Sequence, residues 1–264
     1  MSELLKVPTM AECMAEGRQP EVLFWVGAAG SYDDRAKKIT RAFVKILNKA
    51  KVDFAVLGTE ESSTGDVAKR AGNEFLFQMQ ALSNIELLNA YQVKHIVTAC
   101  PHSFNTLKNE YPELGGHYNV QHHTQFIADL IKNKRLTIED NSNLKGKRIT
   151  FHDPCYLGRG NNEYEAPRTL LKNLGVELVE MKRNRRTALC CGAGGAQMFK
   201  EPEKGDKDIN VLRTEDALET QASIIATGCP FCNTMMTDGV KAKEKEASVK
   251  IFDIAELIAN AQNL

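Results

Sequence analysis

Five cysteines fall between residues 155 and 232, as Cys155, the adjacent pair Cys190 and Cys191, and then Cys229 and Cys232, a spacing of C-x34-C-C-x37-C-x2-C. Thiols so arranged point to a shared centre. Adjacent Cα atoms lie about 3.8 Å apart, inside the usual disulfide span of about 4.4 Å or more, which disfavours a bridge between Cys190 and Cys191. Structural zinc takes four ligands, commonly from two tight C-x2-C pairs, and only Cys229 and Cys232 make such a pair. Five thiolates overshoot that site. An iron-sulfur cluster accepts thiolates from scattered loops, and Gly192, Gly194 and Gly195 would let backbone N–H groups approach inorganic sulfides closely. A cluster ranks first, zinc second, and five inert core thiols third.

The elements that must position these thiols can be read around them. Each group stands where a strand-like apolar run meets a turn: RITF before HDPC, ALCCGAGG inside a Gly-rich bend, and SIIATG before CPFC. Upstream, residues 1–20 are a polar lead-in with a short helix at MAECMAEG. EVLFWVG (21–27) has the continuous apolar character of a buried parallel strand, followed by a loop with Ser31 and Asp33. A helical pattern from Arg35 to Ala50 carries Ile39, Phe43, Ile46 and Leu47 on one face, and VDFAVLG (52–58) is a second strand. Phe75, Met79, Leu82, Ile85 and Leu88 follow helical spacing, HIVTAC is a third strand, and YNVQHHTQFIADLIKNKRL is a short strand entering a helix. His122 and His123 open that helix, where capping, packing or partner contact outweighs ligation or proton relay.

After the polar connector LTIEDNSNLKGK the order repeats, RITFHDPC answering EVLFWVGA and KIFDIAELIANA answering VQHHTQFIADLI. Two copies of one α/β unit follow, spanning 21–145 and 146–264, each a small parallel sheet flanked by helices with the cysteine loops at the carboxyl ends of strands. The halves are expected to face each other across a cleft lined by those loops. Alignment sets Ala28 opposite Cys155, Ser62 and Ser63 opposite Cys190 and Cys191, Cys100 opposite Cys229, and Ser103 opposite Cys232. The first half lacks the thiolates for a cluster, although Phe24, Trp25, Phe54, Phe75 and Phe77 would still furnish a core, and the serines would fill the vacated volume, with water.

Composition bounds the function. The 264 residues hold 34 basic and 34 acidic side chains, so no nucleic-acid footprint is implied, and the run KRNRR at 182–186 reads as a solvated loop. The start is too polar for a secretory signal and no apolar run approaches a membrane span of roughly 18 residues. A cytoplasmic chain is expected, peripheral to a membrane only through a partner. Seven cysteines in such a chain favour metal or redox chemistry over disulfides.

HDPCYLGR, CCGAGG and CPFC in the second half, with RAGNEFLFQ, TACPH, NEYPELGG and HH in the first, resemble the cysteine-rich CCG-domain family, over residues 21 to about 260. That family includes a component of the heterodisulfide reductase and the iron-sulfur subunits of glycolate, lactate and glycerol-3-phosphate oxidation. The resemblance implies that Cys155, Cys190, Cys191, Cys229 and Cys232 ligate a [4Fe-4S] cluster, noncubane in the heterodisulfide reductase. Family members carry two such repeats, and Ala28, Ser63 and Ser103 stand where relatives show cysteine. The resemblance therefore implies one cluster and an electron-transfer subunit of an oxidoreductase, with a heterodisulfide or thiol reductase subunit, a redox or iron sensor, or a zinc-stabilised interaction module as alternatives. It also implies a ferredoxin-like two-cluster protein as partner, together with a flavin dehydrogenase or membrane redox partner. No ferredoxin-type C-x2-C-x2-C-x3-C run occurs in this chain.

Overall fold

A computed structural model describes residues 5, 7–138, 144–201 and 204–264. In chain order the elements are α1 (Met10–Ala15), β1 (Val22–Trp25), α2 (Gly27–Tyr32), α3 (Ala36–Lys49), β2 (Phe54–Ala55), α4 (Asp66–Arg70), α5 (Glu74–Ala90), β3 (His95–Thr98), α6 (Pro101–Asn105), β4 (Asn119–His122) and α7 (His123–Lys132). Then come β5 (Arg148–Phe151), α8 (Gly158–Asn161), α9 (Glu165–Asn173), β6 (Glu177–Leu178), α10 (Ile209–Glu219), β7 (Ile224–Thr227), α11 (Pro230–Ala242), β8 (Lys250–Asp253) and α12 (Ile254–Ala261). Part of the expected connector, 139–143, and residues 1–4 and 6 of the lead-in lie outside the described residues.

The strands form two parallel four-stranded sheets, ordered β2-β1-β3-β4 and β6-β5-β7-β8. The fold is thus α/β with two matching repeats. Their registers agree: Leu23 pairs with Ile96 as Thr150 pairs with Ile225, and Thr98 pairs with His122 as Thr227 pairs with Asp253. That correspondence sets Cys100 against Cys229 and Ala28 against Cys155, as the repeat implied. The two short edge strands, β2 and β6, hold only two residues each, fewer than the apolar runs VDFAVLG and VELVEM suggest.

One apolar core runs through both halves, joining Phe24, Phe43 and Leu47 of the first to Ile149, Phe151 and Leu257 of the second. The halves therefore share an interior instead of meeting across an open cleft. The packing obeys the repeat: α3 lies on α12 and α7 lies on α9. Each pair joins the second helix after the first strand of one half to the last helix of the other. Burying a side chain the size of Phe43 or Leu257 is worth roughly 1.5–3 kcal/mol, so this seam is a main source of cohesion.

Two local expectations are corrected. The segment after β1, expected as a loop, is helical from Gly27 to Tyr32, with Gly27 entering at φ +79. On α5 the buried face is Phe77, Ala81, Asn84, Ile85 and Leu88, while Phe75, Met79 and Leu82 are 75%, 54% and 51% exposed. The helix is apolar on every side, so spacing alone permits several stripes. Asn84 selects one: its amide donates to Ser63 O at 2.8 Å and Tyr111 Oη at 3.0 Å, and its oxygen accepts from Ser62 Oγ at 2.8 Å. Phe75 is therefore not a core residue. No helix among the described residues is long and apolar enough to cross a membrane.

Candidate metal centre

The five second-half thiols come together at the carboxyl ends of β5 and β7. Cys229 is the N-cap of α11 with Pro230 at the first helical position, and its sulfur accepts from Cys232 N at 3.5 Å. One helical turn thereby places Cys229 and Cys232 side by side. Cys191 Sγ lies 3.2 Å from Cys232 Sγ, and Cys155 Sγ lies 4.0 Å from Cys190 Sγ. Cys191, Cys229 and Cys232 are buried, with Cys155 and Cys190 half-buried at the rim.

The glycines of the CCGAGG bend behave differently from one another. Gly192, at φ +91, takes the left-handed conformation that lets its N–H donate to Cys190 Sγ at 3.3 Å. Gly194 passes so near the first half that a Cβ there would lie 3.5 Å from the His102 ring. Gly195, at φ +68, turns the chain away with nothing near its missing Cβ.

The thiols share protons unevenly. Cys190 is driven strongly toward thiolate by S–H donation from Cys155 and Cys191 and by the Gly192 N–H. Cys155 is pushed far up, first by donating to Cys190 and then by burial. Burial opposes ionisation of Cys229, yet the Cys232 S–H, the His102 charge and two backbone N–H groups together pull it below the ordinary thiol value. Cys191 and Cys232 hold their protons. Five sulfurs this close cannot all ionise without a cation between them, and a metal binding here would release protons.

A carboxylate network holds the loops. Asp153, two residues before Cys155, grips Arg168 through both oxygens at 2.7 and 2.9 Å and accepts from Arg185 N at 2.7 Å. Arg168, 1% exposed, also reaches Glu180 at 2.7 Å. The HDPC turn is thus tied to the segment leading into Cys190. In the basic run, Arg183 pairs with Asp216 and Arg185 with Glu165, so neither offers an unpaired charge to a polyanion.

Several residues at this site were not among the expected site residues. His152 opens the HDPC turn, fully buried, with a ring nitrogen within 4.8 Å of Cys191 and Cys232 Sγ. Burial and then the Arg213 charge depress its basicity to about 3. His102 comes from the first half, its ring 5.4 Å from Phe231 and 4.5 Å from Tyr156 between centroids. In the repeat correspondence His102 and Phe231 are counterparts, so the two cysteine-type loops touch at equivalent residues. Spacing could have suggested His152, through its place in HDPC; nothing in the sequence singles out Arg213.

The first-half counterpart is a cavity of about 50 Å³ lined by residues including Trp25, Gly27, Ala28, Ser63, Cys100 and Ser103. That is room for a few waters. Ser62 and Ser63 line it from exposed positions, hydrogen-bonded to Asn84 and to Gly65 N. Cys100 is buried and pushed up to about 12 by burial and then by Cys229. His122 and His123, expected to cap, pack or contact a partner in preference to ligating, are engaged within the fold: their ring nitrogens contact Thr124, Gly228 O, each other and Asp253. Cys13 is on the buried face of α1 beside Arg18, in the first half's core.

The model of the CCG cysteine-rich domain matches this chain twice, at residues 22–108 and 149–237. The chain is 50% identical over 257 residues to a Bacillus subtilis protein named probable iron-sulfur-binding oxidoreductase FadF, covering 97% of this chain and 36% of that one. It is 44% identical to the EtfAB:quinone oxidoreductase of Syntrophomonas wolfei, covering 93% and 35%, and 36% identical to a component of the dihydromethanophenazine:CoB–CoM heterodisulfide reductase of Methanosarcina barkeri, covering 92% and 59%. It thus spans little more than a third of the first two. Among solved structures, a Bacillus anthracis glutamate racemase aligns at TM-score 0.36 and 16% identity over 92% of this chain and 79% of that one, too distant to bear on the site. With two matched repeats that together cover most of its length, the chain belongs to the CCG cysteine-rich domain family.

Proposed function

We propose that Cys155, Cys190, Cys191, Cys229 and Cys232 hold a [4Fe-4S]-type cluster, noncubane as in the heterodisulfide reductase, and that the chain is an electron-transfer element of a redox complex. The observation that carries this reading is the convergence of five sulfurs, three of them buried, on one spot beside N–H donors. Five thiols exceed what a tetrahedral zinc site uses, and the donor set suits iron with inorganic sulfide. When bound, the cluster would supply reversible one-electron chemistry. The chain's own part is to exclude water on three sides, through Cys191, Cys229 and Cys232, while leaving the Cys155–Cys190 edge open to a partner's approach.

The first half acts as a wall, placing His102 and its loop against that site. The relatives' names include iron-sulfur-binding and quinone oxidoreductases, which supports a place in a redox complex, and another is named as membrane-anchored, which supports peripheral membrane association. A ferredoxin-like two-cluster protein or domain, with a flavin dehydrogenase or membrane redox partner, completes the proposed chain of carriers. Gly192 and Gly194 would serve the cluster through backbone approach. Iron and acid-labile sulfide analysis of anaerobically purified protein tests the reading: both should be present, and stoichiometric zinc without sulfide would overturn it.

A further inference from the structure

His152 is wholly buried at the carboxyl end of β5, and its Nε2 has no hydrogen-bond partner. The other ring nitrogen is occupied, because Arg213 Nε approaches Nδ1 at 3.0 Å. One ring nitrogen lies within 4.8 Å of the Cys191 and Cys232 sulfurs, and the nitrogen left without a partner to serve that site is Nε2.

Arg213 decides what that nitrogen can do. A guanidinium N–H only donates, so Nδ1 must accept and carries no proton; a neutral imidazole then has its proton on Nε2. Such a nitrogen has no lone pair to give to iron. Ligation through Nε2 would require a proton on Nδ1 and set two donors against each other. Nor can Arg213 readily turn aside, since it is fully buried with Nη1 donating to Arg183 O at 2.6 Å and to Asp216 Oδ2 at 3.2 Å. A buried N–H without an acceptor is costly, and a negatively charged sulfur is the acceptor that relieves it.

We infer that His152, fixed as its Nε2–H tautomer by Arg213, donates a hydrogen bond to a sulfur of the cluster at Cys191 and Cys232 and so raises its reduction potential. The inference rests on the cluster proposed above and assigns His152 a positioning role, not that of a ligand. Reduction adds negative charge to the sulfurs, so an N–H aimed at them stabilises the reduced state more than the oxidised one.

The test compares variants of the reconstituted protein and reads the tautomer without metal. His152→Leu should retain wild-type iron and sulfide and shift the potential to more negative values. His152→Gln, whose amide can donate in the same direction, should recover part of that shift, and Arg213→Met, which frees Nδ1 to take the proton, should reproduce it. In the cluster-free wild type, nitrogen NMR of isotopically labelled histidine should show Nε2 protonated and Nδ1 bare, a reading that stands even should the variants fail to fold. A protonated Nδ1, an unchanged potential in His152→Leu, or direct iron–nitrogen hyperfine coupling in the wild type would each overturn the inference. Wild type that takes up no iron and sulfide fails the cluster reading first, and is told apart because there is then no potential to shift.

Discussion

His123 Nε2 lies 2.9 Å from Asp253 Oδ1 with both side chains wholly buried, joining the first residue of α7 to the N-cap of α12 across the seam between the halves. The contact continues inward. His123 Nδ1 is 3.2 Å from His122 Nε2, which lies 3.0 Å from Gly228 O. A carbonyl only accepts, so His122 carries its proton on Nε2, and its Nδ1 accepts a hydrogen bond from the Thr124 hydroxyl at 2.7 Å. Burial and then the neighbouring His123 hold His122 far below ordinary histidine basicity, which keeps it neutral. The first half thereby grips the carbonyl immediately before Cys229.

Asp253→Ala should be among the most destabilising substitutions away from the thiols. Asp253 caps α12, accepting from Ala255 N at 2.9 Å within a capping box that includes Glu256. Its loss strands His123 and uncaps the helix, for an expected cost of about 3–5 kcal/mol. Chemical denaturation would measure it, and a loss below about 1 kcal/mol would show that the seam does not depend on this pair.

Cys191→Ser and Cys229→Ser should each abolish the visible absorption and paramagnetic signal of the cluster, whereas Cys13→Ser and Cys100→Ser should keep both. The first two remove buried sulfurs from the converged set; Cys13 sits on the buried face of α1 and Cys100 lines the serine-lined cavity. Complete loss of signal in Cys100→Ser would move the site toward the first half.

Phe75 and Phe77 are neighbours on one helix with opposite burdens. Phe77 is 2% exposed and Phe75 is 75% exposed. Phe77→Ala should cost about 3–5 kcal/mol, while Phe75→Ala should stay within about 0.5 kcal/mol in the isolated chain. Equal losses would mean that the buried stripe of α5 has been assigned to the wrong face.

The contrast between those phenylalanines marks what the sequence can and cannot disclose. The parallel strands and the repeat correspondence followed from runs such as VLFW and IIAT, which are apolar throughout because both faces of a parallel strand are covered. The five-thiol convergence was legible in part: Cys155 and the Cys229–Cys232 pair follow the carboxyl ends of β5 and β7, whereas Cys190 and Cys191 lie in an irregular segment beyond β6 and not at the end of a strand. Helical periodicity on α5 gave no unique face, since its apolar residues surround the axis and only the Asn84 contacts, made with residues distant in sequence, choose among them. His152 and Arg213, 61 residues apart in sequence, meet only through the fold, so the tautomer that matters had no linear signature. The shared core was hidden for the same reason: a repeat predicts two similar units, not that α3 of one would pack on α12 of the other.

Glu61 should make the first half sensitive to pH in the neutral range. Its carboxylate accepts from Val26 N at 2.9 Å and Gly27 N at 2.5 Å, at the entrance to α2 beside the serine-lined cavity. Burial raises its pKa from 4.5 to about 7 against the pull of those two N–H groups. The folded state therefore binds the proton more tightly than the unfolded chain. The stability this contributes is fully present below pH 4.5 and is lost as pH rises through about 7. Glu61→Gln, which keeps one acceptor oxygen and never ionises, should match the wild type at pH 4 and exceed it by about 1–3 kcal/mol at pH 8, the lower part of that range reflecting partial contact with solvent. Denaturation of both proteins across this interval gives the comparison. A wild type that instead gains stability relative to Glu61→Gln between pH 5 and 8 would show that the paired N–H donors outweigh burial, and that Glu61 is ionised at its post.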